Sequence, residues 1–331
     1  MSTVGDEIQP RKSKSKRALI VLLVILLVLA TLAIGGFFYL RHRLDSQVQR
    51  ADWFSNLTTR AEKDETGKAV NFLVLGADTE GPEKPDPNIR GSRSDVTMLV
   101  QLSADRKHLT VMSIPRDSWV PIPGHGEAKI NAGLSFGGVP LAIETVEGLT
   151  GVHIDHAVLV NFNSFAAITD ALGGVTITAS GETKQMNGEE ALMFARTRKT
   201  LPRGDFDRVR RQQEWMRAMA SAAFSRDVLT SPTKLYGVLD TITKNAAVDS
   251  GLTISVMQDL AMEATDIRPG GIQFITAPYT GTGRSADGQS IVNLDQGLCQ
   301  ELFAAWAKGE AATFVAAHQG QVPQLSDRPV D

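Results

Sequence analysis

One cysteine, Cys299, stands in 331 residues. No disulfide can close within this chain, and no cysteine-based metal site can be built. Other signatures are absent as well. There is no G-x-x-x-x-G-K-[ST] loop to cradle a nucleoside triphosphate. There is no G-x-S-x-G elbow for a nucleophilic serine and no H-E-x-x-H zinc pair. His125, His153 and His156 are scattered, and the latter two flank a strand start and read as structural. A broad basic surface is missing too. Beyond residue 40 the chain carries 29 basic and 35 acidic side chains, a net of −6. Phosphate neutralisation along a nucleic acid needs the opposite balance, so nucleic acid is not an expected partner. No internal repeat is visible.

What is present begins with a run of 23 uncharged, almost wholly apolar residues from Ala18 to Leu40. At a rise of about 1.5 Å per residue it spans a hydrocarbon core of roughly 30 Å. The apolar region of a cleaved signal peptide is shorter, about 7–15 residues, so an uncleaved signal-anchor is expected. Five basic residues precede the run and Arg41 and Arg43 follow it. The positive-inside rule then puts residues 1–17, a polar basic tail, in the cytosol and the remainder outside the cell membrane. Residues 41–68 read as a charged stalk with Trp53 and Phe54 as anchors. The globular domain is expected from Ala69 to residue 308, with a polar tail at 309–331.

Within the domain, continuous apolar runs read as buried strands at Val70–Leu75, Val96–Leu102, Leu109–Ile114, His156–Asn161, Val175–Thr178 and Ile272–Thr276. Helical patterns alternate with them, at Ala128–Phe136, Val139–Leu149, Ser164–Leu172 and Gly188–Ala195, from about Phe206, at Pro232–Leu239 and Thr253–Ala264, and at Leu294–Ala307. Gly281-Thr282-Gly283 reads as a turn. Interleaved strands and helices indicate a layered α/β domain.

The segment Phe194–Arg217 carries eight basic and three acidic residues, an island of positive charge in an acidic body. On the helix after Asp205, residues Arg208, Arg211, Gln212 and Trp215 fall at i, i+3, i+4 and i+7, on one face. Guanidinium groups from this helix and from the extended segment around Arg196 and Arg198 can converge on a multivalent anion, phosphate first. A solvated basic helix face is the alternative. Charged residues also close the ends of the predicted strands: Asp78, Arg93, Asp95 and Arg116. Carboxylates among arginines suit a hard divalent cation bound together with phosphate. For each residue alone, a surface ion pair or turn cap explains it equally.

Several segments together resemble the LytR-CpsA-Psr family of bacterial cell-envelope proteins. They are NFLVLGAD (71–78), RSDVTMLV (93–100), SIPRDSWVPIPG (113–124), KINAGLSFGG (129–138), IDHAVLVNFNSF (154–165), DALGGV (170–175), and NGEEALMFARTRK with GDFDRVRRQQ (187–213). They occur in the family's order and cover about Ala69 to Arg217. The resemblance implies one α/β domain with a mixed central sheet between helices, preceded by one transmembrane helix. It implies transfer of a glycopolymer from a polyprenyl-pyrophosphate lipid carrier to a peptidoglycan sugar hydroxyl as a phosphodiester, releasing polyprenyl phosphate. By motif, Asp78 and Asp95 would hold Mg²⁺, with Mn²⁺ as a substitute. Arg93, Arg116, Arg196, Arg198, Arg208 and Gln212 would bind pyrophosphate. Asp205, with Arg93, Arg116 and Arg208, would belong to the catalytic set, Asp205 orienting arginines or taking a proton. Lys199, Arg203, Arg210 and Arg217 would be surface charge.

Leu134, Phe136, Leu141, Val158, Leu159 and Phe162 are tunnel candidates for the prenyl chain, with core packing as the other reading. The sequence departs from the family pattern at Asp95-Val96, at Arg116-Asp117-Ser118 and at Asn161. Two other classes stay open. One is a scaffold that binds polyprenyl phosphates without catalysis. The other is a membrane-linked transcriptional regulator that reads DNA with 206–217.

Overall fold

A computed structural model of the chain describes residues 39, 42–63, 68–77, 85–197, 205–223, 225–229, 231–325 and 330. The anchor and tail expected at 1–40 therefore lie outside the described residues, apart from Tyr39. Among the described residues no helix is long and apolar enough to cross a membrane. The chain divides into residues 1–46 and 47–331. Of the first unit, Tyr39 and residues 42–46 are described, and they are helical.

The second unit is built on a seven-stranded mixed sheet. Its strands are β1 (Gln49–Ala51), β2 (Val70–Ala77), β3 (Ser94–Leu102), β4 (Leu109–Ile114), β7 (His156–Asn161), β10 (Ala247–Asp249) and β11 (Ile272–Thr276), in the order β1-β10-β7-β2-β3-β4-β11. β2 is antiparallel to β3 and parallel to β7, and β4 is parallel to β11. Three hairpins complete the strands: β5 (Trp119–Ile122) with β6 (Gly126–Lys129), β8 (Val175–Ala179) with β9 (Glu182–Met186), and β12 (Tyr279–Arg284) with β13 (Ser290–Leu294). The helices are α1 (Ala132–Thr150), α2 (Phe162–Ala171), α3 (Gly188–Arg196), α4 (Asp205–Ala223), α5 (Arg226–Leu229), α6 (Pro232–Asn245), α7 (Ile254–Glu263), α8 (Gln296–Ala307) and α9 (Ala311–Ala317).

Period-two alternation explains the layering. Leu73, Leu75, Leu99, Met112, Leu159 and Ile275 point to one face, into a core shared with Leu134 and Ile143 of α1 and Leu302 and Trp306 of α8. Val96, Met98, Val111 and Phe274 point to the other face, toward Phe162, Phe194, Trp215 and Met219. Local chemistry sets the helix starts. Asn161 caps α2 and Asn187 caps α3, each in a reciprocal capping box with the residue three positions on. The predicted break after Phe136 is a kink in α1 at Gly138, whose φ of 72° suits glycine.

Several segments differ from the expectations. Residues 49–63, expected in a stalk, are part of the domain. β1 adds a sheet edge beside β10, Trp53 is buried, and its Nε1 donates to the Pro87 carbonyl at 2.9 Å. Residues 311–325, expected as a polar tail, include α9 and the buried Val315, Val322 and Leu325. The β5–β6 hairpin turns at 123–125, and Gly281-Thr282-Gly283, read as a turn, runs within β12. Small strands of this kind are stabilised by long-range pairing, which leaves little periodic signal.

Candidate functional site

The register gathers the predicted charges at one end of the sheet. Ala77 pairs with Asn161 on one side and Ser94 on the other, and Thr97 pairs with Ile114. The last residues of β2, β7 and β4 and the first of β3 therefore share one edge. Two strands must approach closely here. A Cβ on Gly76 would sit 2.8 Å from the Cβ of Val96, so only glycine fits.

Asp95 is the centre of this edge, with its side chain 7% exposed. Arg116 Nη1 donates to its Oδ1 at 2.8 Å. Arg208 Nη1, from α4, lies 3.8 Å from its Oδ2, and Arg208 is itself 2% exposed. Two guanidinium groups from separate elements thus meet on one buried carboxylate. α4 is held against the sheet by Gln213, whose Nε2 donates to Ser113 Oγ, the Ile275 carbonyl and Thr276 Oγ1 at 3.1, 2.8 and 3.2 Å. Gln212 is buried one turn after Arg208, and its Nε2 has no hydrogen-bond partner among the described residues. A buried donor of that kind suits an anionic acceptor.

The remaining predicted residues fall as follows. Arg93 is exposed just before β3 and lines a cavity of about 330 Å³ with Arg116, Asp117 and Lys129. Arg196 ends α3 with its guanidinium 4.9 Å from the centre of the Phe162 ring, beside the end of β7. Asp78, Arg198, Lys199 and Arg203 lie outside the described residues. Asp205 opens α4, and its side chain is outside them as well. Arg211, one turn on from Arg208, meets a different partner. It stacks 4.6 Å over Phe194 and donates to the Phe194 carbonyl. Arg210 is not surface charge. It is 9% exposed and donates to the carbonyls of Gln324 and Leu325 at 3.0 and 2.8 Å. Arg217, 46% exposed, pairs with Glu214, whose carboxylate raises its pKa.

The tunnel candidates divide. Leu134, Leu141 and Leu159 belong to the first core and Phe162 to the second, while Phe136 is exposed. Neighbouring strand positions point to opposite faces, so Val158 and Leu159 cannot line one channel. The incompletely covered strand residues include one candidate, Val158, and three others. Phe72, Val74, Val100 and Val158 are all half-buried, and Phe72 pairs with Val100 as Val74 pairs with Val158. This row lies on the second face, and the buried Met98, Val96 and Val160 stand between it and the Asp95 edge. Sequence periodicity marked these strands as buried, and only the unequal cover of the two faces singles out the row.

Asp117 was also not singled out by sequence. Lys129 Nζ lies 3.0 Å from its Oδ1 and Arg116 Nε 3.7 Å from its Oδ2. No group of three or more His, Cys, Asp or Glu side chains that could hold a metal occurs among the described residues. Asp95 offers hard carboxylate oxygens at the edge where β2 ends, a donor type that fits Mg²⁺.

This edge, with its mixed sheet and paired arginines, can be compared with known proteins. A model of the LytR_cpsA_psr family matches residues 41–308. The chain belongs to that family. It is 34% identical over 266 residues to the polyisoprenyl-teichoic acid–peptidoglycan teichoic acid transferase TagU of Bacillus cereus (strain AH820), covering 74% of this chain and 84% of the relative. It is 28% identical over 313 residues to the cell wall biosynthesis protein LcpA of Corynebacterium glutamicum, covering 82% of this chain and 58% of that one. Among solved structures, TagT bound to LI-WTA matches with a TM-score of 0.60 and 27% identity, over 79% of this chain and 98% of that one. The family assignment and the mixed α/β fold agree with the resemblance read from the motifs.

Proposed function

We propose that this protein is a cell-wall glycopolymer transferase. It moves a glycopolymer from a polyprenyl-pyrophosphate carrier onto a peptidoglycan sugar hydroxyl as a phosphodiester and releases polyprenyl phosphate. In this reading residues 18–40 anchor the chain in the cell membrane, with the domain outside and the N-terminus in the cytosol. The observation that carries it is the meeting of Arg116 and Arg208 on buried Asp95, at the end of the strands whose second face bears the half-covered Phe72, Val74, Val100 and Val158. A lipid pyrophosphate has the same two parts, a chain for the apolar row and charge for the arginines.

Displacement at phosphorus needs charge neutralisation and in-line alignment more than covalent help. Arg93, Arg116, Arg196 and Arg208, with Arg198 by motif, would grip the pyrophosphate oxygens. Guanidinium suits this because it stays charged and binds bidentately. Gln212 Nε2 would donate one further bond. Asp95 fixes the fork of Arg116, so little ordering remains at the moment of reaction. The acceptor oxygen bonds the phosphorus nearer the glycopolymer as the bridging P–O bond breaks, and the hydroxyl proton ends on the departing phosphate. Asp78 and Asp95 would hold Mg²⁺ when it is bound, and the cation would supply further charge neutralisation at the phosphates.

A non-catalytic scaffold for the same lipid is the second reading, since the same pocket would serve it. The regulator reading loses its support, because Arg208, Gln212, Gln213 and Trp215 of α4 are buried, whereas a DNA-reading helix needs them exposed. The deciding assay incubates the full chain in detergent with a polyprenyl-pyrophosphate glycan, Mg²⁺ and peptidoglycan. Polyprenyl phosphate release and glycan attachment are expected, with losses of about 100-fold or more in Asp95→Ala and Arg116→Ala. Binding without release establishes the scaffold. Release insensitive to both substitutions refutes the site.

A further inference from the structure

We propose that the cavity beside Arg116 is a subsite for a pyranose ring of the acceptor glycan, with Phe136 as its stacking platform. This rests on the transfer reading above. Phe136 is 46% exposed near the start of α1, and its ring is stacked on that of His125, centroids 4.7 Å apart, from the turn of the β5–β6 hairpin. A lone exposed aromatic is ordinary. This one lines a cavity of about 330 Å³ whose other walls carry Asp117, Lys129 and Arg116. That volume is at the small end for ligand sites, and an apolar wall facing a few convergent polar groups is their usual build.

A pyranose ring has the matching halves. Its C–H face complements the electron-rich face of an aromatic ring. Its rim hydroxyls can donate to a carboxylate and accept from an ammonium group. Asp117 and Lys129 already stand 3.0 Å apart as such a pair. Their backbone is braced, with Val292 N donating to the Asp117 carbonyl at 2.9 Å and Lys129 paired with Trp119 in the β5–β6 hairpin. A braced pair loses little entropy on binding.

The position favours acceptor over donor. Phe136 belongs to α1, which packs on the first face of the sheet, whereas the half-covered apolar row lies on the second. In-line displacement puts the entering and leaving oxygens on opposite sides of phosphorus. With polyprenyl phosphate leaving across the second face, the entering hydroxyl comes from the side of α1. The cavity and the phosphate site share Arg116, so a sugar held there lies next to the reacting phosphorus.

The test titrates the full chain, in detergent, with a soluble tetrasaccharide of alternating N-acetylglucosamine and N-acetylmuramic acid. A parallel titration uses a short-chain prenyl-pyrophosphate disaccharide. Phe136→Ala is expected to weaken tetrasaccharide binding about tenfold, a typical aromatic contribution. Phe136→Trp is expected to restore it, and His125→Ala, on a separate element, to weaken it as well. The ratio of transfer to hydrolysis should fall with the same variants. Unchanged tetrasaccharide affinity in Phe136→Ala overturns the subsite. A loss confined to the prenyl-pyrophosphate titration also overturns it, by giving the cavity to the donor. Tetrasaccharide binding needs no turnover. A wild-type protein that binds the sugar yet releases no polyprenyl phosphate therefore refutes the transfer reading alone.

Discussion

Glu147 provides a sharp test of how the segment before β2 is held. This carboxylate is 2% exposed on α1. Its oxygens accept from Ala61 N and Ile154 N, both at 2.9 Å, and from Arg60 Nε at 3.0 and 3.1 Å. Glutamine has the same shape but one acceptor oxygen and an amide that repels the facing donors. Glu147→Gln therefore leaves at least one buried main-chain N–H unpaired, at about 1–3 kcal/mol, and weakens charge-assisted bonds of about 1.5–3 kcal/mol. Arg60 is 30% exposed and regains water, which holds the cost below the 3–5 kcal/mol typical of a fully buried pair. A loss of about 3 kcal/mol is expected. For a folded unit of this size that lowers Tm by about 6 °C. Thermal unfolding followed by circular dichroism measures it, and amide exchange should quicken at Ala61 and Ile154. A shift below about 2 °C with both amides still protected would show that the segment is held by something else.

Two further outcomes are expected. Arg210→Ala removes two charge-assisted bonds to the Gln324 and Leu325 carbonyls, so amide exchange around Val322–Leu325 should accelerate by about tenfold or more, and unchanged exchange refutes the tether. Burial, aided by Asp295, pushes the Cys299 thiol up to about 12 from its usual 9.0. The folded thiol therefore stays protonated at pH values where the unfolded chain has begun to ionise, and at pH 8 its thiolate is about one part in ten thousand. Maleimide should label the native protein at least about a hundredfold more slowly than the guanidinium-unfolded chain, and comparable rates would contradict the burial.

Much of the sheet was legible because the central strands β2, β3, β4 and β7, and the edge strand β11, carry continuous apolar runs. The start of α3 was read at Gly188, where the structure has it, and that of α2 at Ser164, two residues after its capped start at Phe162. Most short edge and hairpin strands were not legible, although β8 and β11 were. β1 and β10 have three residues each, and β9 (Glu182–Met186) is polar, so pairing alone defines them. The site was partly legible. Asp95, Arg116, Arg208 and Gln212 were named from their places at strand ends and along one helix. Asp117 gave no signal of a site, and Phe136 was named only for the prenyl tunnel, because a carboxylate after an arginine and a phenylalanine in a helix have many ordinary uses.

The sequence by itself determined the chemistry: a basic segment in an acidic body, no thiol or nucleotide apparatus, carboxylates among arginines, and an apolar run long enough for a bilayer. These follow from residue type and spacing along the chain. Only the tertiary structure decided which charges meet. Arg116 and Arg208 are 92 residues apart yet share Asp95, while Arg210, two positions from Arg208, turns away to bind the C-terminal segment. The reason is geometric. A helix rotates successive side chains by about 100°, so charge density along a sequence says nothing about direction until the helix is packed. Here Gln213, bonded to β4 and β11, sets that packing.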